Sequence, residues 1–315
     1  MMEATNKKAS PEKTGLDIEK EKRKQKRLDI VKAAVAYIFL TICAVLAFLP
    51  FYWMIISSLK TEDEYRLTQP TFFPREFKWQ NYSYMLTSET NGFGQPLFNT
   101  ILIGVVSTLL GVVVIILTAY ALARIEFKGK GILFSLMLAT MMIPGELYTI
   151  TNYVTVSNFG WSNTYIVMIL PFLVSIYYVY LLRNTFKSIP ESLHKAAKVD
   201  GCGKMAFLVK VMIPLAAPTL ISVTLLKFIA TWNSYIWPQL VNTQDYHLIS
   251  NWMTSGFTND GTLYPLTGVG SWAKSESLTT LRMCAACLVS MPLFVLFLFF
   301  RKYIMHGVSK SGTKG

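Results

Sequence analysis

Cys284 and Cys287 stand three positions apart, the spacing with the plainest chemical meaning in this 315-residue chain. A C-x-x-C pair suits a redox dithiol or half of a metal site. A metal site would need a second pair or nearby histidines. No second pair exists, and His194, His247 and His306 are scattered. Cys43, Cys284 and Cys287 lie in apolar runs, where cysteine packs as a small hydrophobe, so no metal is expected. Catalysis inside a membrane would need clustered acids, histidines or an activated serine. Glu146, beside Pro144 and Gly145, has no titratable partner in its neighbourhood. Lys227 stands alone in an apolar run, where a charge is costly and marks either a function or a polar partner. An ion-coupled carrier would use such a charge; facing an aqueous path or pairing with another subunit are the other readings. Gly201-Cys202-Gly203-Lys204 is the nearest approach to a phosphate loop and lacks the G-x-x-x-x-G-K-[ST] spacing. No ATP hydrolysis is therefore expected of this chain.

The elements that must position these residues are membrane helices. The chain is 52% hydrophobic and 15% charged, with mean hydropathy +0.39. Soluble domains carry about 25% charged residues, and several runs here reach the length needed to cross a bilayer. The net charge of +12 would suggest nucleic acid for a soluble protein. No basic stripe interleaved with aromatics is present, so no nucleic-acid partner is expected. The fold class expected is all-α, a polytopic bundle of six transmembrane helices. Spans are placed at 30–58, 97–122, 131–148, 165–182, 214–237 and 278–300, with Pro144 marking a kink or a helix end. Residues 1–29 form a basic tail, too long for a cleavable signal. Residues 30–96 hold the first span and an outer loop, 97–304 the transmembrane core, and 305–315 a second tail. No internal repeat is visible, which argues against an inverted-repeat carrier.

Lys and Arg crowd one set of loops: the first tail, the Arg124–Lys130 turn, the 183–210 region and the last tail. The opposite loops hold few, among them Lys60, Arg66, Arg75, Lys78 and Lys274. The positive-inside rule then makes both termini cytoplasmic.

One polar stretch interrupts the apolar chain on that side: ESLHKAAKVDGCGKMAFLVKVMIP, within a loop spanning 190–214. An acid near its start suits the helix dipole, and Gly201 or Gly203 can end the helix in the left-handed conformation. Read from physics alone, this is either an interfacial connector or a surface that another body approaches over Ala196 and Ala197. The spacing A-A-x-x-x-G, nine residues, then V-x-I-P resembles the EAA loop of permeases in binding-protein-dependent ABC importers. Ala196, Ala197, Gly201, Val211, Ile213 and Pro214 fall on the pattern, and Asp200 precedes the glycine. Lys195 replaces the leading Glu, which puts in doubt any ion pair that Glu would make. SSLKTEDE, Asn99–Thr100, AYALAR (119–124), MMIPGELY (141–148), FGWSNTY (159–165), TWNSYIWP (231–238) and a tail ending in GTKG are similar to the smaller permease subunits of maltose-type importers.

The resemblance implies a coupling helix that docks on a separate ATPase through Lys195, Ala196, Ala197, Asp200 and Gly201. It implies that ATP and magnesium reside on that partner, with no cofactor on this chain. It implies a second permease subunit, an extracytoplasmic solute-binding protein and a sugar, an oligosaccharide for preference. A polyol or a glycerol phosphate ester is the alternative cargo. The tail Ser311–Gly315 is expected to touch the ATPases. Aromatic faces and amides suit sugars, so Trp232, Asn233 and Tyr235 are candidate path residues, with Asn99, Glu146 and Lys227; an aromatic belt at the outer interface is the other reading of Trp232 and Asn233. Asn99 could instead pair with a neighbouring helix, and Glu146 could lie at the headgroups. Trp237 is assigned to an aromatic belt at the outer interface. Tyr246, Trp252 and Trp272, in the loop that follows, would meet the binding protein, the sugar or the headgroups.

Overall fold

The computed structural model describes residues 15–87, 93–242, 244–255 and 278–309. Trp272, Lys274 and Ser311–Gly315 lie outside the described residues. Every regular element among those described is helical: α1 (Gly15–Ser58), α2 (Glu62–Tyr65), α3 (Gln80–Thr87), α4 (Gly94–Arg124), α5 (Lys130–Thr140), α6 (Thr149–Asn158), α7 (Tyr165–Ile169), α8 (Ile176–Ser188), α9 (Glu191–Val199), α10 (Lys204–Phe207), α11 (Ile213–Leu215), α12 (Ala217–Trp232), α13 (Ile236–Val241), α14 (Ile249–Ser255) and α15 (Leu278–Ser309).

The chain divides into two compact units, Met1–Ile56 and Ser57–Gly315. In the first, α1 runs 44 residues without interruption, about 66 Å at 1.5 Å per residue. That is twice the thickness of a bilayer core, so its basic first part and its apolar second part form one rod.

Among the described residues, three single helices are long and apolar enough to cross a membrane: Lys24–Ser58, α4 and Thr279–Tyr303. The other expected spans are bent pairs, so six spans result when each pair counts as one. The third expected span is not a straight helix. It breaks at Met141–Pro144, and its arms, Lys130–Thr140 and Gly145–Asn158, meet at 89°. Pro144 cannot donate to the ladder, and a short 3-10 turn, Gly145–Tyr148, restarts the chain. The fourth bends by 44° between Tyr165–Phe172 and Ile176–Ser188, around Pro171. The fifth does not begin at Pro214. Lys204–Leu215 is one arm, containing a π turn at Leu208–Met212, and the 82° bend falls before Ala217. It ends at Trp232, because Asn233–Tyr235 leave the helix.

Within the second unit α4 is the central post. It packs on α8 and α12, and α12 packs on α15. Small residues let α12 approach. A Cβ on Gly104 would lie 2.8 Å from the Phe228 ring, and one on Gly111 would lie 2.1 Å from the Lys227 stem. Between them Ser107 and Thr231 share a hydrogen bond of 3.4 Å. In lipid, close approach of this kind replaces the hydrophobic drive that holds soluble helices together.

Apolar side chains gather in three clusters. One joins the end of α4 (Ile115, Ala119, Leu122) to α8 (Val179, Leu182, Phe186) and to Phe207, Leu208 and Met212. A second holds Met85, Phe93, Trp232, Trp252 and Cys284. The third holds Ile103, Val167, Met168, Trp237 and Val241.

Candidate functional site

The polar stretch is a helix, α9, with a sharp stop. Gly201 takes φ +72°, where a side chain would clash with the backbone. The Cys202 amide donates to the Ala197 carbonyl at 2.8 Å and the Gly201 amide to Lys198 at 3.2 Å. That pair of bonds is the Schellman stop. Gly203 is extended and starts α10 instead.

The two alanines of the loop motif do different work. Ala197 is half-buried and packs on the cluster of α4, α8 and α10. His194, one turn earlier, lays its ring 4.9 Å from that of Phe207. These two seat α9 on the bundle. Ala196 is exposed, as are Lys195, Lys198 and Asp200. The outer face is more apolar than the motif alone indicates: Leu193 is 41% exposed and Val199 88%. Lys195 meets Glu191 at 3.9 Å on the surface, a pair worth only a few tenths of a kcal/mol.

Behind α9, the end of α4 grips both approaches to the loop. Arg124 donates to the carbonyls of Phe186 and Ile189, at the end of α8. Tyr120 donates its hydroxyl to the Lys204 carbonyl at 2.9 Å. Arg183 donates back to the Leu122 carbonyl at 3.2 Å and stacks 3.6 Å over the Phe134 ring. A helix end leaves its last carbonyls unpaired, and arginine supplies the donors. Tyr120 and Arg124 belong to AYALAR, so that motif carries a mechanical reason in this chain. The sequence motif marks both residues without showing this role, and nothing in it marks Leu193 or Val199.

The expected path residues separate into buried and open groups. Asn99 is fully buried. Its amide donates to the carbonyls of Asp245 and His247, and its oxygen accepts from the Tyr165 hydroxyl at 2.9 Å. It ties α4 to the chain before α14, the neighbour-pairing alternative. Trp232 is 2% exposed and donates its indole to the Val289 carbonyl at 3.3 Å. Lys227 is buried and donates to the Phe172 carbonyl at 2.7 Å. Glu146, Asn233 and Tyr235 are exposed.

Two aromatic assignments are corrected. Trp237 belongs to no interfacial belt. It is 6% exposed and donates to the Val167 carbonyl at 3.0 Å. Trp252 is buried, edge-on to Phe93 at 5.3 Å, because α14 folds back against α15. Tyr246 is half-buried and stacks edge-on with Tyr165 at 5.0 Å. Cys284 is buried and Cys287 half-buried on one helix, and no metal-binding group exists among the described residues.

At the end opposite α9 a polar loop folds over the start of α15. Glu62 accepts from the Thr280 amide at 3.1 Å and from Arg66 at 3.3 Å. Glu64 accepts from Thr71 and, through both oxygens, from the Arg75 amide. Asn81 donates to the Ser58 carbonyl at 2.9 Å. SSLKTEDE is thus the knot of this loop.

A bent-helix bundle with a short exposed helix mounted between two of its spans is the architecture of a membrane permease subunit. Residues 111–310 match the family described as the binding-protein-dependent transport system inner membrane component, and the chain belongs to that family. It is 27% identical over 275 residues to the arabinooligosaccharides transport system permease protein AraQ of Halalkalibacterium halodurans, covering 86% of this chain and 93% of that protein. It is 29% identical over 293 residues to the trehalose/maltose transport system permease protein MalG of Thermococcus litoralis, covering 92% and 99%. Its fold is similar to that of a chain in the crystal structure of a bacterial ABC transporter involved in the import of the acidic polysaccharide alginate. There the TM-score is 0.77 with 23% identity, covering 88% of this chain and 98% of that one.

Proposed function

We propose that this chain is one of two permease subunits of an ABC importer for a sugar, an oligosaccharide for preference. The relatives named above serve arabinooligosaccharides and trehalose or maltose, and a second solved relative is an alginate transporter in complex with a pentasaccharide-bound periplasmic protein. An extracytoplasmic binding protein delivers the sugar, and a second permease completes the path. ATP and magnesium reside on separate ATPase subunits, and this chain does no chemistry of its own. Both termini face the cytoplasm with α9, following the excess of Lys and Arg in those loops.

The observation that carries this reading is the mounting of α9. Its inner face, His194 and Ala197, is fixed to the bundle, while Leu193, Ala196 and Val199 face outward. Exposed apolar residues grouped on one short helix mark a contact with a protein or a membrane. A connector lying on headgroups would not need Arg124 and Tyr120 to lock both of its approaches. A cysteine at Val199, with the four native cysteines replaced, should crosslink to a co-expressed ATPase subunit in a nucleotide-dependent way. A cysteine at the inward-facing Ala197 should crosslink less. Transport without any crosslink at Val199 would reduce α9 to a connector.

A further inference from the structure

Lys227 lies in the interior of α12 and is 5% exposed. Its ammonium pairs with the Phe172 carbonyl and with no carboxylate among the described residues. A lysine kept inside an apolar bundle needs a reason, and two further observations supply one. The first is the slot its stem crosses. A Cβ on Gly111 would lie 2.1 Å from Lys227 Cε, 2.8 Å from its Nζ and 2.9 Å from the Leu173 carbonyl. The absence of a side chain on α4 lets the lysine reach the bend of the fourth span. The second is the carbonyl it finds. In an unbroken helix Phe172 would accept from the amide of Ile176. At the 44° bend it accepts from Lys227 instead. A cation at the C-terminal end of a short helical segment also complements its dipole.

The topology gives this bond leverage. The segment between α8 and α12 is the tip of a hairpin that carries α9. One leg, α8, has 13 residues, about 20 Å at the helical rise. The other runs from Ala217 to Lys227, about 16 Å at the same rise. The Lys227–Phe172 bond joins the two legs away from the tip, where the fourth span bends.

We propose that Lys227, seated in the Gly111 slot, is a positioning residue that closes this hairpin into a rigid lever. It fixes the bend of the fourth span, so that displacement of α9 is passed to the Tyr165–Phe172 segment and is not absorbed at the bend. The rigidity of the hairpin stands on geometry alone; that α9 is what pushes it rests on the importer reading above.

The test uses the full chain in its assembled complex in lipid nanodiscs, with spin labels at Ile166 and Lys187. Both are exposed and they straddle the bend. Wild type should give one narrow distance, unchanged by a non-hydrolysable ATP analogue. Lys227→Met keeps the stem and removes the donor. It should broaden the distribution and make it shift with nucleotide. Gly111→Ala blocks the slot and leaves the lysine in place. It should broaden the distribution in the same way, and it carries the test if Lys227→Met fails to assemble. Lys227→Arg, which retains the charged donor, should give a narrower distribution than Lys227→Met. A wild-type distance that moves with nucleotide, or variants as narrow as wild type, would overturn the lever. The Val199 crosslink judges the importer reading separately: its absence beside a narrow wild-type distance would leave the pin standing and remove its driver.

Discussion

Trp237 donates its indole N–H to the carbonyl of Val167 at 3.0 Å, the carbonyl that Pro171 leaves without a helical partner. Proline has no amide to return four residues back, and in a membrane an orphaned carbonyl is tolerated only when a neighbour satisfies it. Lys227 does the same for Phe172 one turn further on. Trp232 bonds the Val289 carbonyl, next to the one that Pro292 orphans within α15. The bend of the fourth span is thus held by side chains from α12 and α13.

Trp237→Phe therefore keeps most of the ring packing and strands one buried acceptor. The expected cost is about 1–3 kcal/mol, read as a lower melting midpoint of the purified complex. Trp79→Phe is the matched control, since Trp79 is 63% exposed, and it should leave the midpoint unchanged. Equal midpoints for the two variants would mean that the Trp237 bond contributes nothing.

Glu62 reaches across 218 residues to cap the first turn of α15 at Thr280. Both the acceptor and the negative charge suit a helix N-terminus. Glu62→Gln keeps an acceptor and removes the charge; Glu62→Ala removes both. Amide exchange at the start of α15 should quicken in the order wild type, Gln, Ala, with the alanine variant losing about 0.5–2 kcal/mol of protection. An alanine variant that exchanges like wild type would show that the loop merely rests against α15.

His247 is buried, and its Nε2 lies 3.0 Å from the Asn242 carbonyl. Burial disfavours the imidazolium, and the carbonyl only partly offsets this, so the group sits below its ordinary value of 6.5 in the fold. As pH falls, the unfolded chain takes up this proton before the folded one. The stability that neutral His247 contributes is full above about pH 6.5 and is lost as pH drops through the lower folded value. The Asn99 amide binds the His247 carbonyl at 3.1 Å, so the effect should appear in the tie between α4 and the segment before α14. Melting midpoints should fall between neutral and mildly acidic buffer, and His247→Gln should flatten that fall. An unchanged acid slope in the variant would place the titration elsewhere.

The apolar runs made α4 legible to within three residues at either end and the start of α15 to the residue, while α15 runs on to Ser309, nine residues past the expected end. The bends of the third and fifth spans are not legible in the sequence, because their angles depend on partners distant in it. Pro144 announces a break, but nothing local shows that the arms turn by 89°. Pro214 looks like a helix start, yet the chain stays helical through it and bends two residues later. Residue type points the tryptophans to a belt or a sugar platform, but Trp232 and Trp237 give their indole donors to backbone carbonyls of other helices. The loop that carries α9 was legible in its motif and its stop, while its orientation was not. Adjacent alanines differ by about 100° around a helix, and only the packing of Ala197 on the cluster shows which one faces outward.

The loop's two glycines offer the sharpest contrast. Neither meets a neighbour: a Cβ on Gly201 or on Gly203 would find open space within 4 Å. They differ only in backbone. Gly201 sits at φ +72°, where an L-residue with a Cβ is strained by roughly 1–2 kcal/mol, while Gly203 sits at φ −68°, which any residue adopts. Gly201→Ala should therefore loosen the stop that sets the end of α9, and Gly203→Ala should be silent. Asparagine tolerates the left-handed region, so Gly201→Asn should fall between wild type and Gly201→Ala. The measurement is the nucleotide-dependent crosslink from Val199, which reports where the end of α9 points. Equal crosslinking in Gly201→Ala and Gly203→Ala would mean that the Schellman stop does not set the docking geometry, and that Ala197 and His194 alone hold α9 in place.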